Sequence, residues 1–259
     1  MANSINTNNG ALVALQNLNA TNRDLSVTQN RINTGKVVSS AKDNGAIFAI
    51  ATNQRAEMGA LDSVKQSIQR GQSVVDVALA AGETVVEALS EMKKLATAIE
   101  AGGSSATTTA LQADYDALQT EIDTALANAN FDGANLFTGT TAVNVKLGTG
   151  TAATDSKSLG GTAISVAPAG ATAAQVQTAI DSFTAELATF GTDSKSLERQ
   201  LTFVNKVQDA LEVGIGNLVD ADLAKESAKL TALQTKQQLG VQALSIANQS
   251  SSVLLGLFR

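Results

Sequence analysis

The sequence predicts a mainly α-helical protein: a long rod-like helical bundle with paired N- and C-terminal coiled-coil helices and a small β-hairpin region. Three observations carry that reading. Apolar residues recur at gaps of three and four over most of the 259 residues. The apolar fraction is an ordinary 44%, but there is one Tyr, no Trp and one Pro, with abundant Ala, Leu, Thr, Ser, Asn and Gln. That mixture suits long helices and not a thick core built on aromatic anchors. Finally, both chain ends carry the same apolar stripe and few charges, as surfaces meant for close packing should.

At the N-terminus, residues 5 to 33 read as one helix. Ala11, Leu18, Leu25 and Ile32 recur every seven residues, with Leu12 and Leu15 beside them and Asn22 and Gln29 on the complementary phase. Gly35 and Gly45, among Ser, Asn and Asp, mark a loop over residues 33 to 45. A long helix follows from Gly45 to Ile99, striped by Leu61, Val64, Ile68, Val75, Leu79, Val86, Leu89, Leu95 and Ile99. At about 1.5 Å per residue it would run roughly 80 Å, which makes the body a rod. Ala101-Gly102-Gly103-Ser104 ends it. The next helix spans Thr107 to Asn130, with Leu111, Tyr115, Leu118, Ile122 and Ala125 on one face.

From Phe131 to Gly170 the texture changes. Asp132-Gly133 and further glycines punctuate it, and Val143, Val145 and Leu147 alternate with polar residues, as do Ile164 and Val166. This predicts a hairpin over about 138–168. The last body helix begins near Ala171 and carries Val176, Ile180, Phe183, Leu187, Leu197, Leu201, Val204, Leu211, Ile215 and Leu218. Its phase survives Gly191, so one helix with a costly Gly inside is favoured over two. It is expected to run on through Asp220-Ala221-Asp222 toward the terminal helix. There Leu223, Leu230, Leu233, Leu244, Ala247, Leu254 and Phe258 form the stripe, interrupted by Gln237, Gly240 and Ser251. The chain closes on Val253-Leu254-Leu255-Gly256-Leu257-Phe258 before Arg259, an apolar end that calls for burial.

Composition narrows the chemistry. With no Cys and no His, disulfides, thiol nucleophiles, Cys/His metal sites and imidazole acid–base schemes are excluded. The remaining carboxylate pairs, Asp114/Asp116, Glu121/Asp123 and Asp220/Asp222, are spaced by two and diverge on a helix. No cofactor, metal site or catalytic centre is expected. A net charge of −6 argues against nucleic acid. Residues 1–42 carry +3 and residues 217–259 carry +1, which leaves −10 for a solvated middle. No run approaches the roughly 20 apolar residues of a membrane span. The polar start Met1-Ala-Asn-Ser-Ile-Asn-Thr-Asn-Asn lacks the features of a cleaved secretory signal.

Several stretches resemble bacterial flagellins, the filament subunits of the flagellum. They are Gln29-Asn30-Arg31-Ile32-Asn33-Thr34-Gly35-Lys36, Ser40-Ala41-Lys42-Asp43-Asn44-Gly45-Ala46, Asn217-Leu218-Val219-Asp220-Ala221-Asp222-Leu223-Ala224-Lys225-Glu226, and Gln249-Ser250 with the closing Leu254-Leu255-Gly256-Leu257-Phe258-Arg259. The short length is most similar to the compact flagellins of Caulobacter-like α-proteobacteria. The resemblance implies a D0 terminal coiled coil (residues 1–33 and 224–259), a connecting spoke (34–45 and 217–223) and a D1 helical rod (46–216). It implies a secreted helical homopolymer for swimming motility, with sibling flagellins as possible co-subunits. Export would be unfolded, through the flagellar secretion apparatus, with an export chaperone at the C-terminal helix. The flagellar cap and hook-junction proteins are the other implied partners, and neither nucleic acid nor membrane insertion is expected.

Filament packing in D0 then falls to Ala11, Leu15, Leu18, Leu25, Ile32, Leu230, Leu233, Leu244, Ala247, Leu254, Leu255, Leu257 and Phe258. O-glycosylation, frequent in such flagellins, would use loop hydroxyls: Thr138, Thr140, Thr141, Thr149, Thr151, Thr154, Ser156, Thr192 and Ser194. Flagellins sensed by the vertebrate innate receptor carry a Leu-Gln-Arg-Val-Arg-Glu-Leu-like patch. The matching Leu89-Ser90-Glu91-Met92-Lys93-Lys94-Leu95 places Glu91 where an Arg would be, so weak activation is expected. The alternatives are a hook–filament junction protein, which tends to be longer and to diverge over 220–226, and a non-flagellar helical adaptor rod, which needs neither the apolar end nor a hairpin at the far end.

Overall fold

The computed structural model describes residues 8–138, 142–150, 155–160 and 170–256, the side chains of 250–256 excepted. Among these residues five helices and one two-stranded sheet follow in order: α1 (Asn9–Thr34), α2 (Gly45–Glu100), α3 (Ser105–Asn128), β1 (Val143–Lys146), β2 (Ser156–Leu159), α4 (Ala173–Val219) and α5 (Leu223–Gly256). The chain forms two compact units, Met1–Arg55 with Leu211–Arg259, and Ala56–Ala210.

In the second unit the core is a heptad seam. Leu61, Ile68, Val75, Leu89 and Ala96 of α2 are buried seven or fourteen residues apart, and Val64, Ala78, Val85 and Met92 fill the intervening positions. On α4 the buried line is Val176, Phe183, Phe190, Leu197 and Val204, one every seventh residue. The two helices run antiparallel, since Lys93 bonds Gln177 while Asp62 accepts from Gln208 at 2.7 Å. Tyr115 and Ile122 of α3 complete the core. Phe137 stacks on Phe183 with ring centroids 5.3 Å apart and meets Phe190 edge-on at 5.6 Å.

The buried line departs from the predicted stripe. Leu79, Val86, Leu95 and Ile99 are only half-buried, and Ala78, Val85, Met92 and Ala96 take the interior. Small residues explain the shift. A Cβ on Gly71 would lie 2.4 Å from Cγ2 of Val145, and one on Gly82 would lie 2.2 Å from Cδ2 of Leu187. At both positions a neighbour occupies the space a side chain would need.

The hairpin is antiparallel, with Val143 opposite Leu159 and Lys146 opposite Ser156. Its inward residues Val145 and Leu159 are each 1% exposed. The Lys146 amide donates to Ser67 Oγ at 2.9 Å, Gln200 Nε2 donates to the Leu147 carbonyl at 2.9 Å, and Lys157 pairs with Asp193 at 2.6 Å. The sheet therefore lies along the flanks of α2 and α4 and not at the far end of the bundle. The expected alternation at Ile164 and Val166 lies outside the described residues. Asp132 and Gly133, at φ 52° and 78°, make the tight turn their dipeptide predicts. Asn135 caps α3 by donating to the carbonyls of Leu126 and Ala127.

Helix α4 is continuous through Gly191, as the phase required. It does not run on into the terminal helix but stops at Val219. Asp222 Oδ1 then accepts from the amides of Ala224 and Lys225 and caps α5.

Candidate assembly interface

In the first unit α1 packs on α5. The N-cap Asn8 donates to the Ala247 carbonyl at 2.7 Å, Gln237 Nε2 donates to Asn22 Oδ1 at 2.8 Å, and Arg31 Nη1 lies 3.1 Å from Glu226 Oε1. Numbers rise on one helix as they fall on the other, so the pair is antiparallel. The ion pair joins the last turn of α1 to the first turn of α5, where each charge also complements its own helix dipole.

The seam follows gaps of three and four. On α1 it runs Ala11, Ala14, Leu18, Thr21, Leu25, Thr28 and Ile32; on α5 it runs Glu226, Leu230, Leu233, Gln237, Gly240, Leu244 and Ala247. Thr21 and Thr28 are 3% and 0% exposed and Glu226 is 8% exposed. Thr21 Oγ1 bonds the Asn17 carbonyl, whereas Thr28 Oγ1, Arg31 Nε and Glu226 Oε2 are buried with no hydrogen-bond partner among the described residues. A Cβ on Gly240 would lie 3.3 Å from Cδ1 of Leu18, so this glycine sets the close approach of the two helices. Such a polar seam is weaker than an apolar one of equal length.

Apolar residues also lie outside the seam. Leu12, Val13, Leu15 and Val27 on α1 and Leu223, Leu239, Val241 and Ile246 on α5 are exposed, Ile246 by 68%. A helix apolar on more than one side calls for more than one partner.

Beside the pair, a short ladder joins the loop after α1 to the end of α4. Lys36 bridges Asp220, the Val37 amide donates to the Val219 carbonyl at 2.7 Å, and the Ala221 amide donates to the Gly35 carbonyl at 2.8 Å. Gly35, at φ 68°, supplies the left-handed turn that ends α1. Val38, Ala51, Ile215 and Val219 form a small buried cluster, flanked by Val37, Ile47 and Phe48. In the same loop the Asp43 carboxylate accepts from the amide and hydroxyl of both Ser39 and Ser40 at 3.0–3.1 Å. These bonds, with the Ser39 hydroxyl foremost, hold its pKa below the ordinary value.

The residues predicted to pack divide into groups. Ala11, Leu18, Leu25, Ile32, Leu230, Leu233, Leu244 and Ala247 all line the intramolecular seam. Leu15 does not: it is 44% exposed on the outer side of α1. Leu254 and Leu255 lie in the last turns of α5, and Leu257 and Phe258 fall outside the described residues. The complementary phase is Ala14, Thr21 and Thr28 rather than Asn22 and Gln29, both of which are exposed. Counting back four residues from Leu18, Leu25 and Ile32 finds it; judging by polarity hides it.

Of the hydroxyls, Thr138 and Thr149 are exposed outside regular elements. Ser156 is on β2, and Thr192 and Ser194 lie inside α4 and not in a loop, with Thr192 Oγ1 bonded to the Ala188 carbonyl. The heptad phase kept through Gly191 is why that stretch is helix. Thr140, Thr141, Thr151 and Thr154 lie outside the described residues.

The antiparallel α1/α5 pair of one unit, with the helices and small hairpin of the other, defines a class of mainly α-helical subunits. Residues 5–142 match the bacterial flagellin N-terminal helical region and residues 173–258 the C-terminal helical region. Flagellins FljM and FljK of Caulobacter vibrioides are each 52% identical over 270 residues, covering 99% of both chains. A flagellin of Brucella melitensis is 37% identical over 281 residues at the same coverage. The chain belongs to the bacterial flagellin family, the structural subunits of the extracellular flagellar filament that drives swimming. No described helix is long and apolar enough to cross a membrane.

Proposed function

We propose that the outer faces of α1 and α5 are the contacts through which copies of this chain pack in the core of the filament. One observation carries the reading: apolar side chains occupy both the seam of the α1/α5 pair and the surface turned away from it. In this scheme the seam residues hold the pair, while Leu12, Leu15, Leu239, Val241 and Ile246 bind neighbouring copies. Leu254, Leu255, Leu257 and Phe258 extend the same contact to the chain end. Residues 1–33 and 224–259 act as D0, 34–45 and 217–223 as the spoke, and 46–216 as D1.

The remaining assignments rest on family membership. The chain is exported unfolded, its apolar C-terminal helix shielded by a chaperone before assembly and buried after it. It adds beneath the cap, onto a filament that begins at the hook-junction proteins. It carries out no catalysis. Of the candidate hydroxyls, Thr138 and Thr149 are exposed outside regular elements and would carry sugar, and the intact mass of native protein tests this.

Ile246→Asp separates the packing role from folding. The site lies off the seam, so the helix pair should form while polymerisation from filament seeds is lost. Normal polymerisation of this variant would refute the outer-face assignment.

A further inference from the structure

The sequence holds two Asn-Gly pairs, Asn9-Gly10 and Asn44-Gly45, both exposed, and the structure treats them differently. In such a pair the glycine amide nitrogen can attack the asparagine carboxamide, because no Cβ screens the approach. Ring closure needs two rotations. The side chain must turn its carboxamide carbon toward the main chain, and the peptide plane must turn its nitrogen toward that carbon. At Asn44 both rotations are held. Its Oδ1 accepts from the amides of Ala46 at 3.1 Å and Ile47 at 3.2 Å, which caps α2. Its main-chain carbonyl accepts from the Phe48 amide at 3.0 Å. Asn9 has no such role: the cap of α1 is Asn8, whose Oδ1 accepts from the Ala11 amide at 3.0 Å. A Cβ on Gly45 would meet nothing within 4 Å, so no packed neighbour stands in the way of the attack.

We propose that Asn44 is a self-modification site, open while α2 is unformed and closed by its own capping bonds once α2 folds. The Gly45 nitrogen bonds Cγ of Asn44, the Cγ–Nδ2 bond breaks, and the displaced nitrogen takes up the Gly45 amide proton and leaves as ammonia. Water then opens the cyclic imide at either carbonyl, giving aspartate or its β-linked isomer, with nothing oxidised or reduced. The two products differ in consequence. Aspartate caps a helix as well as asparagine does. The β-linked isomer adds a methylene to the main chain just before Ile47 and Phe48, which pack against the cluster of Val38, Ala51, Ile215 and Val219. It shifts α2 against the loop that Lys36 and Val37 tie to the end of α4. A chain left unfolded thus accumulates copies that cannot rebuild this junction.

The test incubates the full-length chain at mildly alkaline pH, native and in urea. Peptides are mapped by mass, and β-linked aspartate is identified by isoaspartyl methyltransferase labelling. In urea Asn44 and Asn9 should convert at similar rates. In native protein conversion at Asn44 should fall about tenfold, as expected for an N-cap, and by more than at Asn9. Conversion at Asn44 as fast in native chain as in urea would overturn the capping argument, and none in urea would overturn the site itself. Gly45→Ala should slow Asn44 severalfold in urea and leave Asn9 unchanged; an unchanged Asn44 rate would overturn attack by the Gly45 nitrogen. Asn44→Asp should unfold at the parental temperature and chain enriched in the β-linked product at a lower one; equal temperatures would overturn the shift of α2.

Discussion

Gly71→Ala should destabilise the protein even though alanine is the better helix former. Gly71 sits inside α2, and the added Cβ would lie 2.4 Å from Cγ2, 3.2 Å from Cγ1 and 3.4 Å from Cβ of Val145. Val145 is a poor candidate for relief. It is β-branched and 1% exposed, and its strand is held by the bonds to Ser67 and Gln200. The helix-propensity gain is about 1 kcal/mol. Overpacking a tight site costs about 1–3 kcal/mol. The net expectation is a loss of about 1 kcal/mol, or a fall in Tm of about 2–4 °C for a chain of this size. Gly59→Ala is the control: it lies on the same helix, exposed, with nothing within 4 Å of the added atom. It should gain about 0.5–1 kcal/mol. Thermal and urea unfolding of the full chain measure both. If Gly71→Ala stabilises as much as Gly59→Ala, the close approach of the hairpin to α2 is wrong.

Arg31→Met strands the Glu226 carboxylate in the seam and should cost about 2 kcal/mol by urea unfolding, with Glu226→Leu added in the double variant recovering most of it; a single variant at parental stability would contradict the burial of this pair. Asp43, whose pKa is lowered, contributes stability that is present above its ordinary value and lost as pH falls through the folded value, so the acid limb of the stability profile should flatten in Asp43→Asn. Tyr115, the one tyrosine in a chain without tryptophan, is pushed up first by burial and then by the Asp116 charge. Its contribution is present below the ordinary value and lost as pH rises through the folded one, so phenolate absorbance should appear at higher pH in the folded than in the urea-unfolded chain, and equal or earlier appearance in folded protein would contradict its burial. Glu91 is exposed on α2 between buried Leu89 and Met92, and a receptor reporter assay should show weak activation that Glu91→Arg increases.

Much of the fold was legible because its periodicities are local. The bounds of α2 and the continuity of α4 through Gly191 follow from stripes that need no tertiary knowledge, and the Asp132-Gly133 turn follows from its dipeptide. What failed was reading by bulk. Leu79 and Leu95 looked like core and flank it, while Ala78 and Ala96 fill it, because how near a neighbouring element comes decides which residue is interior. A second error, judging by polarity, hid Thr21 and Thr28, which are buried in the seam although their hydroxyls argue against it. The ion pair of Arg31 with Glu226 joins residues 195 apart, and no local pattern announces such a partner. Leu15 carries the apolar pattern, but which side of the helix it serves depends on where α5 lies.

Electron cryo-microscopy of the assembled filament tests the central claim most directly. The antiparallel α1/α5 pair should be found intact, with Leu239, Val241 and Ile246 buried against neighbouring copies. A filament in which the pair is formed but those residues face solvent would contradict it.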